Sequence, residues 1–137
     1  MDEDESLDRY GLHPVGADLD EVRGLLSAHG RRERVAQGDG DTELMKPCCV
    51  QLFNAGVLDD VLHIWRAKTA SMDADLSIEV PLLCGSGPAE TKAYLRSLRS
   101  PEAGAALQRL TSGEAAGDFE DFSVAGLSAR YADSYAP

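Results

Sequence analysis

His63 is the residue best suited, by type and spacing, to do chemistry. On a helix, Asp59 lies four residues before it and Asp60 three, so either carboxylate can orient the ring and raise its basicity. The product would be a general base or half a metal site. Cys49 or Cys84 with His63 would supply the thiol and imidazole of nucleophilic cysteine chemistry. No catalytic signature surrounds either set, and the simpler reading of His63 is a surface ion pair on the polar side of its helix. Cys48, Cys49 and Cys84 include an adjacent pair that cannot readily bridge and lack Cys-x-x-Cys spacing, while the histidines are scattered. Small buried hydrophobes describe these cysteines better, and neither a metal site nor a cofactor is expected. Gly85-Ser86-Gly87-Pro88 could cradle a phosphate at a helix start, but the Lys and spacing of a P-loop are missing, which leaves an inter-helix turn.

A second group of residues suits binding rather than catalysis. Four of the eight aromatics, Phe119, Phe122, Tyr131 and Tyr135, fall within residues 114–137. Phe119, Glu120, Asp121 and Phe122 place two rings three residues apart among acids, the form of a segment that buries its rings in a partner and leaves its charges at the rim. With Tyr131, these four are the candidate binding residues. The competing reading has the rings dock on the protein's own helices.

The elements that must position these residues are helical. Asp18–His29 carries Leu19, Val22, Leu25 and Leu26 on one face, with Gly30 as its stop and a short second helix over 31–37. After Thr42 or Lys46, with Pro47 suited to a first helical turn, Cys48, Cys49, Leu52 and Phe53 form one stripe. Leu58, Val61, Leu62 and Trp65 make the best amphipathic helix, over 57–70. Residues 73–84 fit either a strand or a helix, and a loose repeat decides for helix: Val50–Gly56 and Val80–Gly87 both end an apolar stretch in a small-residue turn, offset by about 30 residues. Two more helices follow, after Pro88 and after Pro101. Asp20–Gly30 resembles the second helix of an ankyrin repeat, and Glu79–Gly87 resembles it more loosely, although the Thr-Pro-Leu-His turn motif precedes neither copy. No family is assigned on that basis. What the resemblance implies is helices stacked in pairs.

The expected fold is therefore all-α: five or six helices stacked as antiparallel helix–turn–helix pairs over 18–112. An irregular acidic leader over 1–17 and an acidic aromatic tail over 113–137 would flank them. A chain of 137 residues permits one sizeable core. The net charge of −11 is concentrated at the ends: residues 1–8 carry −5, residues 114–137 carry −4, and the body carries only −2. That distribution argues against a DNA mimic, and the one basic cluster, Arg31-Arg32-Glu33-Arg34, contains an acid and has no adjacent aromatic, so nucleic-acid binding is not expected. No apolar run suits a membrane span and the acidic first residues do not suit a secretory signal, so a cytoplasmic protein is expected. The abundance of Arg over Lys, with much Ala and Gly, hints at a GC-rich bacterial source. Taken together, these features favour a non-catalytic protein-binding module acting as adaptor, inhibitor or assembly subunit. The alternatives are an immunity or antitoxin-like protein against a basic toxin, and a small enzyme using His63 with Asp59 or Cys49.

Overall fold

A computed structural model describes residues 1–137 as an all-helical chain without strands. Eight α-helices follow one another: α1 (Glu3–Tyr10), α2 (Gly16–Val35), α3 (Thr42–Ala55), α4 (Val61–Lys68), α5 (Met72–Ser77), α6 (Pro88–Leu98), α7 (Pro101–Ala116) and α8 (Val124–Ser134). Short 3-10 turns at Leu58–Asp60 and Val80–Leu83 interrupt the series. No helix is long and apolar enough to cross a membrane.

The core is built around α3. Asp41 caps it by accepting the Leu44 N–H at 3.1 Å. From Leu44 to Phe53 every residue except Lys46 is buried, because α1, α2, α4, α5, α8 and the 80–83 turn all pack against this one helix. Of the two starts the sequence allows, Thr42 is the one found, so Pro47 sits inside α3 rather than in its first turn. The two repeat-like turns meet in space: Ser86 donates its hydroxyl to the Gly56 carbonyl at 2.7 Å, and a Cβ on Gly85 would collide with the Phe53 carbonyl. The chain leading into them differs, α-helical at 50–55 and 3-10 at 80–83.

Both ends of the chain depart from expectation. The leader is not irregular: Asp2 caps α1, and Ser6 and Tyr10, four apart, bury one face. Gln51 and Asn54 of α3 donate their amides to the Gly11 and Leu12 carbonyls at 2.7 and 2.8 Å, so the acidic helix is tied to the core through its exit. The C-terminal region is likewise ordered. α7 runs on to Ala116, and α8, capped by Ser123, carries Val124, Leu127 and Tyr131 as an apolar stripe that Tyr135 extends just past its end. Ser128 completes the link by donating to Asn54 at 2.8 Å, so one α3 side chain holds leader and tail alike.

Two interior expectations also change. Gly30 does not stop α2, which runs unbroken to Val35; a Cβ on Gly30 would stand 3.8 Å from the Ala67 Cα, so the glycine lies where α2 packs against the backbone of α4. Tertiary contact there outweighs the weak helix propensity of glycine. The expected 57–70 helix begins instead as a 3-10 turn and becomes α4 at Val61. The buried side of α4 includes Ile64 and Lys68 as well as Val61 and Trp65.

Candidate functional site

Around the Gly30–Ala67 contact of α2 with α4 an open cleft of about 500 Å³ forms, which Glu102 in the first turn of α7 also lines. Arg31 and Arg34 enter it from successive positions on one face of α2, His63 and Arg66 from α4, and Glu102 from α7, beside the edge of the largely buried Trp65. On a chain of net charge −11 this cleft is basic. Arg31 makes no ion pair. Arg34 donates only to neutral oxygens, the Arg66 carbonyl at 3.0 Å and the Thr69 hydroxyl at 3.2 Å. Arg66 is held by Glu102 in a two-pronged pair, Nε to Oε2 at 2.9 Å and Nη2 to Oε1 at 2.6 Å. That guanidinium keeps the Glu102 carboxyl below the usual range.

The cleft's histidine is anchored from below. Asp60, with 2% of its side chain exposed, accepts from Arg23 Nε and Nη2, both at 2.8 Å, and lies 2.8 Å from His63 Nδ1. Burial alone would raise the Asp60 carboxyl, but the hydrogen bonds and charge of Arg23 and His63 outweigh it and hold the group below the ordinary aspartate range. With Nδ1–H donated to this carboxylate, the ring's Nε2 is left for the cleft. His63 itself is about 40% exposed.

The constellation expected from the sequence assembles only in part. His63 pairs with Asp60, not Asp59: the 3-10 turn shifts the phase of residues 58–60, and Asp59 lies exposed, accepting the Tyr94 hydroxyl at 3.0 Å. Cys49 is fully buried on α3, and burial pushes its thiol well up. Cys48 and Cys84 are pushed up by burial to about 12. None is a thiolate nucleophile at neutral pH, and the His63 ring has no hydrogen bond to sulfur. Ser86 of the glycine turn is engaged with Gly56.

The tail residues do come together, on the protein itself. Phe119 and Phe122 meet edge to face, ring centroids 5.2 Å apart, half-buried against the core. Tyr131 is buried, donates its hydroxyl to Glu79 at 3.0 Å and stacks with Tyr135 at 6.1 Å, while Lys46 approaches its ring. Glu120 and Asp121 are exposed beside them.

The arginine cleft is the feature that sequence reasoning missed. Its only linear signal is Arg31-Arg32-Glu33-Arg34, where Glu33 obscured the pattern. That carboxylate is not part of the surface: it is buried, accepts the Gly38 and Gly40 N–H groups and the Ser71 hydroxyl, and ties the α2–α3 turn to the start of α5. The hydrogen bond from Ser71 is the main reason it is held below the normal glutamate range. No protein-family model, curated protein or solved structure matches the chain.

Proposed function

We propose that the chain is a non-catalytic protein-binding module, an adaptor, inhibitor or subunit of a larger assembly, and that its binding face is the arginine cleft. The observation that carries the reading is the gathering of Arg31, Arg34, Arg66 and His63 in one open cleft of a strongly acidic chain, with Arg31 free of any carboxylate. Exposed arginines beside an aromatic edge, which a partner would desolvate on binding, are frequent anchors of protein interfaces. The same residues argue against chemistry. The Asp60–His63 pair offers a base, yet no thiolate stands near it and Arg23 already neutralises the carboxylate. The half-buried Phe119–Phe122 pair and the buried Tyr131 serve the fold, so on this reading they are not the primary contact.

The experiment is capture from an extract of the source cell, comparing wild type with Arg31→Glu/Arg34→Glu and with Phe119→Ala/Phe122→Ala. A partner lost from the arginine variant at unchanged melting temperature, and retained by the phenylalanine variant while that variant is folded, is the expected result. A partner lost only from the folded phenylalanine variant would return recognition to the tail.

A further inference from the structure

Glu102 shows what the cleft is built to hold. Its carboxylate reaches from α7 to Arg66 on α4 and meets the guanidinium with both oxygens. That fork-to-fork geometry is how arginine recognises a planar carboxylate. We infer that the partner presents a short acidic segment, and that Glu102 occupies in the free protein the place that one of the segment's carboxylates takes in the complex. The inference rests on the cleft being the binding face.

Three observations support the exchange. The Arg66–Glu102 pair is solvent-exposed, 53% and 37% by side chain, so water screens it and it yields readily. Glu102 lies in the first turn of α7, where the positive end of the helix dipole favours its charge whether or not Arg66 is bound. Finally, Arg31 and Arg34 stand in the same cleft without carboxylate partners, which gives a second acid of the segment its own guanidinium. Trp65 and Leu26 line the same space and suit the aliphatic stems of glutamate.

The charge of the whole molecule restricts the ligand further. A long polyanion such as nucleic acid would be repelled by a chain of net charge −11, most of it carried by the two ends that such a ligand would run past. A segment of two or three acids has its charges met inside the cleft, within a Debye length of about 8 Å at physiological salt. Glu102 therefore acts as an internal competitor that any ligand must displace.

A fluorescein-labelled triglutamate peptide is the probe, and its anisotropy the readout. Removing the competitor raises the fraction of binding-competent cleft, so Glu102→Gln should bind the peptide about two- to fivefold more tightly than wild type. Glu102→Ala should behave alike, which excludes a new amide contact to Arg66. Arg31→Ala/Arg34→Ala should weaken binding by at least about tenfold, with the melting temperature of each variant confirming that it is folded. Equal affinity for wild type, Glu102→Gln and Glu102→Ala, with the α2 arginines still required, would overturn the exchange and leave the cleft as the binding face. Failure of every variant to bind the peptide would overturn both. Displacement of the peptide by an equal concentration of inorganic pyrophosphate would mark a phosphate site and overturn the assignment to carboxylates.

Discussion

The aromatic tail and the arginine cleft invert what their sequences suggest. The tail concentrates rings and charges in a short stretch that looks made for a partner, yet α8 lays Tyr131 into the body and Phe119 and Phe122 pack beside it. The cleft has no contiguous signal at all. Its residues come from positions 31, 34, 63, 66 and 102, on three helices, and they converge because α2 runs past Gly30 and packs against α4 there. Aromatic residues among acids report a need for burial, and only the fold decides whether the protein or a partner provides it. Unpaired guanidiniums in a concave surface are the more informative sign.

The largest effect expected from breaking this contrast is in the tail. Tyr131→Ala should destabilise the protein by about 3–5 kcal/mol, the usual cost of deleting a buried aromatic, and also leaves Glu79 without its hydroxyl partner. Chemical denaturation measures it, and a change below about 1 kcal/mol would mean that α8 is not part of the core.

Beneath the cleft, Arg23→Ala should cost about 2–3 kcal/mol, because it strips two hydrogen bonds from a buried carboxylate. The pH dependence has a definite sign. Asp60 has a folded pKa below its unfolded value, so its contribution is complete above about pH 4 and is lost as pH falls through the lower folded value. Denaturant midpoints measured from pH 6 down to pH 2.5 should therefore fall more steeply for wild type than for Arg23→Ala. Parallel curves would contradict the account of this network.

Phe119→Ala/Phe122→Ala comes next, at about 1–2 kcal/mol in all, since both rings are only half-buried and lose one edge-to-face contact. Arg31→Ala/Arg34→Ala should change stability least, by about 0.5 kcal/mol or less, as Arg31 has no partner and Arg34 has only exposed ones. A stability loss comparable to that of Arg23→Ala would mean that these arginines support the fold rather than a ligand.

Periodicity made the helical class legible, and with it α6 and α7, which start at Pro88 and Pro101 as expected. It failed where long-range contacts decided the outcome. α1 looked like a charged leader because only Ser6 and Tyr10 bury its face, and the groups that fix its exit, Gln51 and Asn54, lie about 40 residues away. The stripe of Val124, Leu127, Tyr131 and Tyr135 was present in the sequence, but the acids before it drew attention to charge instead of spacing. His63 was singled out from its type and neighbours. The choice of Asp60 over Asp59 needed the 3-10 turn, which no periodicity reveals.

The most direct test of the central claim is a titration of the ¹⁵N-labelled protein with unlabelled triglutamate, followed by amide chemical shifts. If the binding face is the cleft, the largest changes should map to Ser27–Arg34, His63–Thr69 and Glu102, with residues 119–135 unmoved. Changes confined to 119–135 would contradict the account and make the tail the surface that partners see.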